Sequence, residues 1–220
     1  MFLKIKNIPK VSWSSDKPLN LKPKVSSFFF LCLGLTLFGL GEGLLIVSLS
    51  GASPWSVLAQ GISIKSGLSV GFITFIISVS VLIFWIPLNQ KPGVGTILNA
   101  LIVAFMIDVC IKYFPSPESY LYQILLGAIA VLIVGLGGAI YLVANLGAGP
   151  RDGLMVGLQI KTNLPIALVR ALLEISVVTI GWYLGGTVGI GGGIYLVSNL
   201  GAGPRDGLMV GLQIKTNLPI

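Results

Sequence analysis

Five ionisable residues, Glu42, Arg151, Asp152, Arg170 and Glu174, fall in or beside long apolar runs of this chain. An isolated charge is costly in hydrocarbon, so each such group must pair, protonate or line a route for a solute or ion. Arg170 and Glu174 stand four apart, share a helical face and can pair; Arg170 is also near enough to the end of its run to snorkel outward. Glu42, in "GLGEGLL", must be protonated or find a base elsewhere, which makes it a candidate for a proton- or cation-linked role. Asp152 follows Arg151 in the first turn of a proline-started segment, where the helix dipole favours an anion. Asp108 and Lys112, again four apart, read as an end-of-helix pair.

Bond-making chemistry has little to work with. The 220 residues include no histidine, the commonest general base and metal ligand. Cys32 and Cys110 lie in separate apolar runs, so neither a disulfide framework nor a metal cluster is indicated. We therefore expect no enzyme, no cofactor and no metal.

The elements that must hold these groups are membrane spans. The chain is 55% hydrophobic and only 10% charged, with a mean hydropathy of +0.96, against about 25% charged residues in a soluble domain. Runs of 18 or more apolar residues are long enough to cross about 30 Å of hydrocarbon. Five occur: Ser26–Leu49, Leu68–Leu88, Thr96–Phe114, Tyr120–Leu146 and Leu164–Gly185. In lipid each must satisfy its own backbone, which only helices of this kind can do, so the fold class is all-α.

The net charge of +7 is no nucleic-acid signal, because six lysines (Lys4, Lys6, Lys10, Lys17, Lys22 and Lys24) precede the first span. Basic residues beside short loops stay cytoplasmic. With the basic tail, residues 1–25, inside and spans alternating, Lys91, Arg151 and Lys161 also fall inside, and only Lys65 and Lys112 outside. The first apolar run exceeds a signal-peptide core of about 7–15 residues and no A-x-A site follows, so we expect it to be retained.

The chain repeats itself twice over. "GLGEGLLIVSLSGASP" (Gly39–Pro54) aligns without gaps on "GLGGAIYLVANLGAGP" (Gly135–Pro150), 96 positions later, and Gly61/Gly157, Lys65/Lys161 and Gly93/Gly189 keep the register. The units are residues 26–116, with three spans, and 117–192, with two. Three spans is an odd number, so the second unit enters the membrane inverted; inverted repeats are a common construction of secondary transporters. A third span of the second unit is due near Gly191, but from there the chain runs through residues it has already used. Residues 193–220 copy residues 139–166 with two changes, Ala139/Gly193 and Ala144/Ser198. So close a copy reads as a recent duplication or an error of sequence assembly, and we expect residues 193–220 to lie at the membrane surface or pack imperfectly.

Each unit also carries a short segment after its first span. In "GASPWSVLAQGISIK", Ser53 is a good N-cap and Pro54 suits the first helical position. Trp55, Leu58, Ala59 and Ile62 then share an apolar face, opposite Ser56, Gln60 and Ser63. Such a helix either lies in the interface or re-enters with its N-terminus toward an anionic solute. The glycine patterns fail the context test for nucleotide loops; Gly39/Gly43, Gly153/Gly157 and Gly181/Gly185 have the spacing of close helix packing.

The segments "GLGEGLLIVSLSGASPWSVLAQGISIKSGLSVG", "PGVGTILNALIVAFMIDV" and "LGAGPRDGLMVGL" resemble the YczE/YitT-like family of bacterial multi-pass membrane proteins. The matching signature positions are Pro54, Trp55, Gly93, Gly95, Thr96, Asn99, Asp108, Pro150, Arg151, Asp152 and Gly153. The resemblance implies a bacterial inner-membrane location and five or six helices, and it carries over no catalytic or binding residue. Two functions are expected: a permease or exporter of a small, anionic solute, or an accessory protein that holds another complex in the bilayer. The bilayer is the expected partner in either case, and nucleic acid in neither.

Overall fold

The computed structural model describes residues 11–200, with side chains to residue 197, and contains helices but no strand among them. The helices are α1 (Val25–Val47), α2 (Pro54–Ser66), α3 (Val70–Trp85), α4 (Val94–Tyr113), α5 (Tyr120–Ala144), α6 (Pro150–Thr162), α7 (Ile166–Tyr183) and α8 (Ile190–Leu200). α1, α4, α5 and α7 are long and apolar enough to cross a membrane; the pair α2–α3, bent by 115°, makes a fifth if taken as one broken span.

Helix ends follow local chemistry. Pro54 and Pro150 occupy the first turns of α2 and α6, where a missing N–H costs nothing. Ser69 caps α3 by accepting from Phe72 N. The expected span Leu68–Leu88 shortens to Val70–Trp85: Ile86 keeps helical φ and ψ as the C-cap, but Pro87 has no N–H with which to continue the ladder. Asn145 and Asn163 end α5 and α6 in the left-handed region, which asparagine tolerates best after glycine.

α1 is the axis of the bundle, packed between α4 and α5. It approaches α5 so closely that a Cβ on Gly34 would lie 2.9 Å from Gly137 O, and one on Gly137 would meet the backbone of Gly34 and Phe38. Gly39 and Gly43 admit α4 in the same way, at Val103 and Cys110, and Gly153 and Gly157 admit Trp85 and Leu88. Gly181 packs on Val57–Leu58, whereas Gly185, expected to pack beside it, has φ 105° and turns the chain after α7. Residues 11–24 are fastened to the end of α5: Ser15 N donates to Ala144 O (3.0 Å) and Asn145 Nδ2 to Ser15 O (2.8 Å).

α2 and α6 are not two-faced surface helices. In α2, Trp55, Ser56 and Val57 are all buried, while Ile64, Lys65 and Ser66 are exposed; in α6 residues 152–157 are buried and 160–162 exposed. Burial falls along the axis instead of around it, so the apolar and polar faces read from the sequence do not divide buried from exposed residues. Each short helix starts inside the protein and runs outward.

The positive-φ residues among those described fall into four pairs 96 positions apart: Leu49/Asn145, Gly51/Gly147, Gly67/Asn163 and Asn89/Gly185. The turns before α4 and α8 dock in the same register. Gly95 N donates to Leu146 O (2.7 Å) and Gly191 N to Ser50 O (2.8 Å). α8 thus begins where the third span of the second unit is due, with Tyr195 buried. Of residues 193–197, expected to lie on the surface or pack poorly, Tyr195 is buried and Gly193, Ile194 and Val197 are exposed; residues 201–220 of that expectation lie outside the described residues.

Candidate functional site

Two buried helix N-termini form the site. At the start of α6, Asp152 occupies the third helical position and is 5% exposed; the Tyr141 hydroxyl of α5 donates to its Oδ2. Around Gly149 a cavity of about 20 Å³ is lined by Phe38 of α1, Thr74 and Ser78 of α3, Asn99 and Val103 of α4, and Arg151 and Asp152 of α6. That volume holds one water-sized species. Thr74 and Ser78 each donate their only hydroxyl hydrogen to backbone oxygens of Val70 and Thr74 (2.9 Å each), so both can offer the cavity only acceptor lone pairs.

At the start of α2 the carboxylate comes from another helix. Glu42 of α1 is 1% exposed, and its Oε2 accepts from Ser53 Oγ (2.6 Å) and Ser56 Oγ (2.7 Å). Ser53, engaged there, does not cap α2 with its side chain, although its φ and ψ are those of an N-cap. Glu42 Oε1 has no hydrogen-bond partner, and no basic side chain among the described residues lies within ion-pair reach of it. The two sites touch at their rims, where the Arg151 guanidinium lies 5.3 Å from the centre of the Trp55 ring. Positions 55 and 151 are themselves 96 apart, as are Ser56 and Asp152.

The remaining signature residues build the frame. "PGVGT" docks on "LGAGP": a Cβ on Gly93 would collide with Leu146 and Gly147, Gly93 N donates to Thr96 Oγ1 (3.0 Å), and Thr96 Oγ1 donates to Ala148 O (2.7 Å). Pro150 O accepts from Trp85 Nε1 (2.9 Å), whose ring lies on Gly153. Pro54 starts α2, and Gly95 makes the backbone bond given above.

Arg170 and Glu174 form a pair on α7, Nε to Oε1 3.4 Å, with side chains 4% and 5% exposed, so Arg170 does not snorkel outward. Asp108 stands apart from the site. Its Oδ2 accepts from Ser69 Oγ (2.6 Å) and its Oδ1 from Gly71 N (2.7 Å), capping α3. The expected pairing with Lys112 is corrected: Lys112 lies over the Tyr113 ring instead.

Tyr141, Thr74 and Ser78 escaped sequence reasoning because hydroxyls in apolar runs carry no charge to draw notice. The 96-residue register held a signal: it lays Thr74 on Arg170 and Ser78 on Glu174, so the positions that carry the ion pair in one half line the cavity in the other. Among the described residues, Glu42, Asp152 and Glu174 are buried carboxylates and Arg170 is a buried guanidinium.

Comparisons with known proteins fit this picture. Residues 25–193 match the family model described as a family of unknown function, DUF6198. An uncharacterized protein of Haemophilus influenzae is 38% identical, over 89% of this chain and 88% of its own length. The uncharacterized membrane protein YczE of Bacillus subtilis is 30% identical, over 75% of this chain and 77% of its own, and the uncharacterized protein YyaS of the same organism is 30% identical over 74% and 84%. No solved structure matches. With four or five helices fit to cross a bilayer and a frame made of the very segments that carry the YczE likeness, this membrane protein belongs to the DUF6198 family of YczE-like proteins.

Proposed function

We propose that the protein is a small-solute permease or exporter built of two halves of opposite orientation, with its solute site where α2 and α6 begin. The observation that carries the reading is the meeting of two buried helix N-termini at Trp55 and Arg151. Broken helices let a transporter turn backbone polar groups toward a solute without baring them to lipid. The four positive-φ pairs and the reciprocal docking of the two glycine turns support the two-half reading. The basic N-terminal tail supports a cytoplasmic N-terminus in a bacterial plasma membrane.

The charge at the site argues against the anionic solute expected from the sequence. Both helix N-termini already hold protein carboxylates, Glu42 and Asp152, and a further anion would meet their repulsion. A solute that brings positive charge, or moves with a proton or cation, suits them better. The small cavity favours a second reading, an accessory protein without transport, since it admits only a water-sized species as it stands.

Two measurements test the proposal. With Cys32 and Cys110 replaced, single cysteines at the exposed positions Ser66 and Asn163 should react with an impermeant thiol reagent from opposite sides; labelling from one side rejects the inverted halves. In a metabolite screen on purified protein, ligand-dependent thermal stabilisation lost in Arg151→Ala or Glu42→Gln is the expected result. A silent screen together with one stable protein partner in pull-downs decides for the accessory reading.

A further inference from the structure

Glu42 presents a carboxyl group whose two oxygens have different fates. Oε2 is closed off by Ser53 and Ser56, whose hydroxyls lie 3.1 Å from one another and complete a triangle with it. Oε1, equally buried, has no partner. A buried oxygen of a charged group left unbonded costs more than a neutral one, and native proteins leave few such atoms without a reason. No basic side chain among the described residues lies within ion-pair reach of it, and the Arg151 guanidinium is engaged on the Trp55 ring.

The number of free acceptors indicates the kind of guest. A metal cation requires a cage of several oxygens, but Ser53 and Ser56 both engage Oε2 and leave one carboxylate oxygen open. One open anionic acceptor fits one N–H donor of a positively charged nitrogen, the stronger class of hydrogen bond. Trp55, between Ser53 and Ser56 in sequence, already holds a nitrogen cation against its ring face, an arrangement an ammonium group can share. We infer that Glu42 Oε1 anchors the protonated nitrogen of an ammonium-type organic cation at the start of α2. This rests on the permease reading and names its substrate class.

The test uses the full chain purified in detergent at constant ionic strength, with methylammonium as probe. Tetramethylammonium, which has the charge but no N–H, acetate and sodium are the counter-probes. Methylammonium should raise Tm saturably by about 2–4 °C, the counter-probes should not, and Glu42→Gln should lose the shift. Should Glu42→Gln fail to fold, wild-type discrimination between methylammonium and tetramethylammonium decides. An equal response to both, a response to sodium alone, no response at all, or a shift retained in Glu42→Gln overturns the inference. Stabilisation by acetate or another anion overturns it too while leaving a permease standing; the permease reading itself fails on the two-sided labelling above.

Discussion

Gly137→Ala is expected to cost the protein about 2 kcal/mol or more and to abolish a sharp thermal transition in detergent, whereas Gly135→Ala, two residues away on α5, should be neutral or slightly stabilising. The difference is one of neighbours. A methyl on Gly137 would run into the backbone of α1 at Phe38 N and Gly34 O, while one on Gly135 would meet nothing within 4 Å. Backbone cannot swing aside as a side chain can, so the collision must part α1 from α5, and overpacking typically costs about 1–3 kcal/mol. At Gly135 alanine only gains helix propensity, worth up to about 1 kcal/mol. Close glycine contact is also what lets helices associate where lipid removes the hydrophobic driving force. Equal Tm values for the two variants would show that the α1–α5 contact is looser than described.

The second large effect is electrostatic. Ser56→Asp should destabilise the protein by several kcal/mol, because the new carboxylate would sit beside Glu42 in a fully buried position, and Glu42 has no basic side chain among the described residues within ion-pair reach. Adding Glu42→Gln should recover most of the loss, giving a coupling energy of about 2 kcal/mol or more in a double-mutant cycle. The rescued variant would carry its acid on the third residue of the short helix, as α6 does with Asp152. Purely additive losses would mean that Ser56 is sensitive for steric reasons alone.

These cases show what the letters reveal. Long apolar runs report helices with little ambiguity, and α1, α4, α5 and α7 begin and end within about two residues of expectation. Only α3 departs further, at Pro87, whose missing N–H outweighs the hydropathy of Ile86 and Leu88. The starts of α2 and α6 were legible in Ser-Pro-Trp and Gly-Pro-Arg, but their attitude was not. Whether a 13-residue helix lies flat or enters end-on depends on the groove that receives it, here cut by Gly61, Gly153 and Gly157 against distant partners. The charged candidates announced themselves by their cost in hydrocarbon. Their partners did not: Ser53 looked like an ordinary cap, and nothing local says that Tyr141, eleven residues before Asp152, serves it. Serine, threonine and tyrosine acquire meaning only when topology supplies the group they face.

The crossed docking of the glycine turns also bears on how the chain is made. Ser50 O waits for Gly191 N, Gly95 N for Leu146 O, and Gln60 Oε1 accepts from Thr187 N across 127 positions. A first half leaving the ribosome therefore carries unsatisfied polar backbone at the root of α2, with its complement still unsynthesised. The stretch from Thr187 to Gly191 supplies two of those partners, so the hydrogen bonds at Ser50 and Gln60 close only once it has been made.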